Sequence, residues 1–167
     1  GQNINLNFGN YHPLEKFIQW PDTSTDGLDV EATRSITIPY WPTIHTNIAA
    51  DDFLCTANGT ITNLQVWGSW AFDVLDNAQF RLGIWSDVPA TQGQFSHPGQ
   101  LLWSNSFGPA DYSVTLYTNA NENYYDPNIP GTNGLICPDT MVWCYSFTPT
   151  NPFCQKGSPD KPIVYWL

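Results

Sequence analysis

No stretch of this chain keeps a helical period, and that absence constrains the fold more than any motif does. Fourteen prolines and twelve glycines punctuate the sequence, so segments are broken about every ten residues, before a 3.6-residue repeat is established. Between the breaks, apolar residues alternate. Ile4, Leu6 and Phe8 alternate, as do Ile36, Ile38 and Tyr40. Thr62, Leu64, Val66 and Gly68 form one face of a segment that carries Trp67 on the other. Phe80, Leu82 and Ile84 oppose Arg81, Gly83 and Trp85, and Met141, Trp143, Tyr145 and Phe147 oppose Val142, Cys144 and Ser146. A period of two belongs to strands with one face toward a core. The spacing predicts an all-β chain of about nine or ten strands, an antiparallel β-sandwich of jelly-roll type. No linker or repeat interrupts the pattern, so one domain is expected over residues 1–167. Ser86 to Gln100 and Thr118 to Asn133 are rich in turn formers and are expected as long loops, the second centred on Tyr124 and Tyr125.

Charge narrows the partners. Five Lys+Arg against fifteen Asp+Glu leave a formal net charge of -10, and the five cations are scattered. Phosphate backbones need clustered cations, so no nucleic-acid partner is expected. No apolar run approaches the ~18 residues of a membrane span. Only 12% of residues are charged while 15% are aromatic, a balance that suits a secreted or cell-surface β protein. Cys55, Cys137, Cys144 and Cys154 fit no zinc spacing and are expected as two disulfides. The favoured pairing sets one late cysteine on Cys55 and joins the remaining two locally, with a buried thiol at Cys144 as the alternative.

Several constellations carry possible chemistry. Asp22, Ser24, Asp26 and Asp29 place oxygens as the opening of a calcium loop does, with Gly27 at its turn, although Thr33 stands where that loop has a closing glutamate. Structural calcium is therefore the one cofactor considered. Asp51 and Asp52 are neighbours in a predicted strand and so face opposite sides. His12, His45 and His97 are far apart, and no nucleophile elbow or metalloprotease motif occurs. No enzyme is expected. Asn58-Gly59-Thr60 satisfies the glycosylation rule at Asn58. Trp67, Trp70 and Trp85, with Tyr124 and Tyr125, could stack sugar rings or simply pack. Ile163, Val164, Tyr165, Trp166 and Leu167 form an apolar strand that must pair within the sandwich or in a neighbouring subunit.

The stretches AADDFLCTANGTITNLQVWGSW and FRLGIWSDVPATQGQFSHPGQLLWS resemble an uncharacterised family of extracellular bacterial domains. Its shared stretches are A-D-D-F-x-C, W-G-S-W and S-D-x-P…P-G-x-L-x-W, and the similarity covers most of Lys16 to Leu167. The resemblance implies secretion and a β-sandwich, and it brings no activity and no catalytic residues. The function expected is a structural or assembly module, such as the repeating subunit of a filament or surface layer. Ile4, Leu6, Phe8 and Ile163 to Leu167 would supply its self-association contacts. The alternative is a carbohydrate-binding module for a polysaccharide.

Overall fold

The computed structural model describes residues 3–6, 17–32, 47–75, 77–125 and 135–167. The strands run in chain order as β1 (Asn3–Leu6), β2 (Phe17–Ile18), β3 (Leu28–Val30), β4 (Asp52–Cys55), β5 (Gly59–Ile61) and β6 (Leu64–Gly68). They continue as β7 (Phe80–Val88), β8 (His97–Phe107), β9 (Tyr112–Tyr125), β10 (Leu135–Phe147), β11 (Phe153–Gln155) and β12 (Ile163–Trp166). A 3-10 turn at Ala71–Asp73 is the one helical element among the described residues.

Two sheets form the sandwich, a six-stranded one ordered β2-β1-β6-β10-β9-β3 and a four-stranded one ordered β4-β12-β7-β8, with the pair β11-β5 beside them. Their inner faces meet in one cluster. Leu64 and Val66 of β6 and Tyr145 and Phe147 of β10 come from the larger sheet. Phe53, Ile84, Trp103, Phe107 and Tyr165 come from the smaller one. The ring of Phe147 lies 4.9 Å from Phe107 and 5.2 Å from Phe80, centroid to centroid. Full burial of each such side chain contributes about 1.5–3 kcal/mol, and the alternation read from the sequence supplies these inward positions.

Three features depart from expectation. First, one pairing is parallel: β3 runs alongside β9, with Asp29 opposite Tyr124. Secondly, the expected loops are largely strand. β9 continues through Thr118 to Tyr125, and β10 pairs with it from Phe147↔Tyr112 to Leu135↔Tyr125. The polar run TNANENYY shows no apolar alternation because its partners on both sides, rather than a core face, hold it extended. Ser86 to Gln100 likewise reduces to a hairpin tip bridged between Thr91 and Gln94. Thirdly, Cys55, Cys144 and Cys154 are free thiols. Cys55 points into the core while Cys154 on β11 is exposed, so strand direction keeps them from bridging. The Cys137 side chain and Ile36, Ile38, Tyr40, His12 and His45 lie outside the described residues.

The last strand pairs on both sides. Ile163 to Trp166 bonds to β4 on one edge and to β7 on the other, and Leu167 exchanges two hydrogen bonds of 2.9 Å with Asp51. Of the two options for the apolar strand Ile163, Val164, Tyr165, Trp166 and Leu167, the structure shows pairing inside the sandwich, along β4 and, at Tyr165 and Trp166, with β7. Ile4 and Leu6 lie in β1, their side chains outside the described set, and Phe8 lies outside the described residues.

A crossing segment organises the larger sheet. β2 and β3 lie at opposite edges of it, so residues 19–27 span the four strands between them. Five inter-strand gaps of about 4.8 Å make roughly 24 Å, within the ~30 Å that nine extended residues span. Trp20 in this strap packs on Trp67 of β6 at 5.5 Å and on Tyr117 of β9 at 6.5 Å.

Candidate functional site: a buried carboxylate triad

Where β3, β9 and β10 run side by side, they bring three acids together. Asp139 of β10 stands opposite Glu122 of β9, and Asp29 comes from the parallel neighbour β3. One carboxylate oxygen from each lies within 4.8 Å of the others. All three residues are buried, at 3%, 3% and 0% exposure for Asp29, Glu122 and Asp139. Glu122 Oε1 and both carboxylate oxygens of Asp139 are shut away from solvent with no hydrogen-bond partner. A buried polar oxygen left unsatisfied costs about 1–3 kcal/mol, more when charged, so the grouping needs a counterpart.

The electrostatics point the same way. Burial, reinforced by the negative charges of Asp29 and Asp139, pushes the Glu122 carboxyl up to about 7. Asp139 is pushed up to about 6 by burial and then by the Asp29 charge. The Ser69 hydroxyl beside Asp139 pulls in the other direction, but closes no hydrogen bond of normal geometry. At an effective dielectric of about 20, two carboxylates at this separation repel by about 3 kcal/mol. Arg81, Lys156 and Lys161, the described cations, are exposed and take no part in these shifts.

Two kinds of counterpart satisfy such a group, protons or a cation. The donors are all hard carboxylate oxygens, with no imidazole or thiolate among them. This suits calcium or magnesium better than zinc, whose structural sites are built from cysteine and histidine. Oxygens on opposite sides of one calcium ion, each at 2.3–2.6 Å, are about 4.6–5.2 Å apart, which spans the whole triad. Magnesium at 2.0–2.1 Å reaches only about 4.2 Å across and retains several waters, for which a fully buried site has little room.

Around the triad, β3 is held by further polar contacts. Tyr124 donates its hydroxyl proton to Glu31, itself buried, and Glu31 N–H donates to Tyr125 O at 2.8 Å. Asn123 N–H donates to Gly27 O at 3.2 Å. On the other flank, Asp73 accepts from Thr140 N, Thr140 Oγ1 and Met141 N at 2.6–2.9 Å, fixing the backbone beside Asp139. Those bonds hold the Asp73 carboxyl below its usual range against the opposing effect of desolvation.

Of the residues proposed from sequence for a metal, Asp29 alone joins the triad. Asp22, Ser24 and Asp26 form an exposed turn in which Asp22 Oδ1 accepts from Ser24 N–H at 3.1 Å and Ser24 Oγ from Asp26 N–H at 3.3 Å. Their oxygens serve the local backbone and are not among the three grouped carboxylates. Glu122 and Asp139 were not legible: one lay in a presumed loop, and they meet through strand register rather than spacing. The aromatic set is dispersed as well. Trp67 is buried under Trp20, Trp70 donates to Tyr145 Oη at 2.6 Å, and Trp85 lies over Gly83 on the smaller sheet. Tyr124 is tied to Glu31 and Tyr125 pairs with Val30. These five do not form one platform. Asn58 is exposed in the turn between β4 and β5, its Oδ1 accepting from Gly157 N–H at 3.1 Å.

Neither the curated proteins nor the solved structures contain a match to this chain. Residues 15–167 match a family described as "Domain of unknown function (DUF7901)". The matched span takes in β2 through β12 and every residue of the carboxylate triad. The chain belongs to the DUF7901 family.

Proposed function

We propose that this chain is a secreted, non-catalytic β-sandwich module that holds a divalent cation, calcium by preference, as a structural element, and that it self-associates as a building block outside the cell. The observation that carries the cation is the triad of Asp29, Glu122 and Asp139, buried and within 4.8 Å. Its burial supports a structural over a catalytic role, since a substrate has no access to groups 0–3% exposed. An ion there would join β3, β9 and β10 through side chains, as their hydrogen bonds already join them through the backbone. Self-association is supported by bulky apolar side chains held outward at turns, Phe95 at 91% and Phe72 at 71% exposure, where a monomer gains nothing from them.

Isothermal titration of the chelator-treated protein with calcium and with magnesium tests the cation. A single site favouring calcium, abolished by Asp139→Asn, is expected. No heat and no thermal shift with either ion would refute the reading. Sedimentation velocity across a wide concentration range tests the assembly, and a clean monomer throughout would remove it.

A further inference from the structure

The outer face of the six-stranded sheet carries a second feature, independent of the cation. Leu64 and Val66, Tyr145 and Phe147, and Val114 point into the core cluster, so their alternates, Gln65, Ser146, Ser113 and Thr115, point outward. None of these ionises, on a chain whose formal charge is -10. Gln65 Nε2 donates to Ser146 Oγ at 3.2 Å, while Ser113 and Thr115 are exposed. At one side of this neutral field stand two exposed rings. Trp20 at 57% and Tyr117 at 43% exposure are nearly parallel, with 15° between planes and 6.5 Å between centroids. Both rest on Trp67, which is 2% exposed and packs against them at 5.5 and 5.9 Å. The rings are thus braced from beneath rather than free to rotate away.

This chemistry selects its occupant. A wholly apolar partner would strip water from the hydroxyls of Ser113 and Thr115 without replacing their hydrogen bonds, which is unfavourable. An anionic ligand finds no cation among the outward residues named. A neutral polysaccharide satisfies both halves of the surface: the C–H faces of its rings stack on aromatics, and its hydroxyls exchange hydrogen bonds with serine, threonine and glutamine. We propose that Trp20 and Tyr117, with Ser113, Thr115 and Gln65, form a binding face for an uncharged polysaccharide.

Affinity electrophoresis through gels containing laminarin, xylan, galactomannan or hydroxyethyl cellulose tests this, with alginate as the anionic control. At least one neutral glycan should retard the protein and alginate should not. Tyr117→Ala and Thr115→Asp should each weaken that retardation about tenfold, and Ile48→Ala, altering an apolar side chain that is 73% exposed elsewhere, should leave it unchanged. Thr115→Asp sits at an exposed position and keeps the test valid if Tyr117→Ala disturbs packing on Trp67. Retardation by no neutral glycan, or by alginate alone, overturns the proposal, as does parent-like binding by both variants. If Tyr117→Ala instead converts an oligomer to a monomer with no glycan response, the face belongs to a second copy and the proposal fails.

Discussion

Replacing Glu122 by glutamine separates the two ways in which the triad can be satisfied. The substitution keeps the shape and removes one of three neighbouring charges. The Glu122 carboxyl is raised from an ordinary 4.5 to about 7. At 1.36 kcal/mol per unit, ionising it in the folded protein costs about 3 kcal/mol more than in the unfolded chain. The sign follows from linkage: a raised carboxyl pKa means the folded state holds the proton more tightly, so this group's stabilising contribution is present below about 4.5 and lost as pH rises through 7. At pH 8, with the ion chelated, Glu122→Gln should therefore be more stable than the parent by up to about 3 kcal/mol. At 2–4 °C per kcal/mol for a protein of this size, the gain in Tm is about 6–12 °C. At pH 5 the folded parent's carboxyl is protonated while the unfolded one is partly ionised, and the difference should shrink to about 1 kcal/mol. Calcium reverses the order: at a hundred times its Kd, an ion stabilises the parent by about 2.7 kcal/mol, whereas the variant has lost a ligand and should respond weakly. Scanning fluorimetry at pH 5 and 8, in chelator and in calcium, reads all four values. A variant less stable than the parent at pH 8 in chelator, or one lifted equally by calcium, would refute the reasoning.

Other expectations follow from neighbouring features. The metal-free parent should itself lose stability between about pH 4 and 7, the interval from the ordinary carboxyl values to the raised ones of about 6 and about 7, and calcium should flatten that slope in thermal melts. Phe72 has φ 63° and is 71% exposed, so Phe72→Gly should relieve about 1 kcal/mol of backbone strain with little packing lost, visible as a raised urea midpoint. A Cβ on Gly157 would lie 2.3 Å from Cys55 O; Gly157→Ala should cost upward of about 2 kcal/mol in the same assay. The exposed thiol of Cys154 should react rapidly with a thiol reagent in native protein, whereas buried Cys55 should react only on unfolding.

The alternation rules located the core, because a side chain facing the opposing sheet must be apolar whatever its strand pairs with. Phe80 and Phe147 are legible for that reason. Trp67 was placed on the correct, outward side, but its burial depends on Trp20, forty-seven positions away along the chain. Strand β9 was half visible: Val114 meets the core, while Thr118 to Tyr125 owes its extended form to β10 and β3, whose pairings no local pattern announces. The triad shares that obscurity. Asp29 could be singled out from the oxygen-rich turn before it, but Glu122 and Asp139 acquire their meaning from register alone. In the thiols, even count and low charge suggested two bridges; Cys55, Cys144 and Cys154 are free thiols, and the Cys137 side chain lies outside the described residues.

The strap over residues 19–27 has a consequence for how the molecule is made. Both edges of the larger sheet, β2 with two residues and β3 with three, precede β6 and β9 in the chain, yet among the described residues β3 pairs only with β9, and β2 only with β1, which itself needs β6. Synthesised ahead of β6 and β9, these strands must wait for partners that emerge later. Until they dock, the lower half of β9 presents bare hydrogen-bonding groups along one margin, an invitation to adhesion between nascent copies. Very short edges are poor templates for further pairing. Docking of the early segment thus works as a pair of end-stops, and its timing against chain encounter decides between an orderly particle and an aggregate.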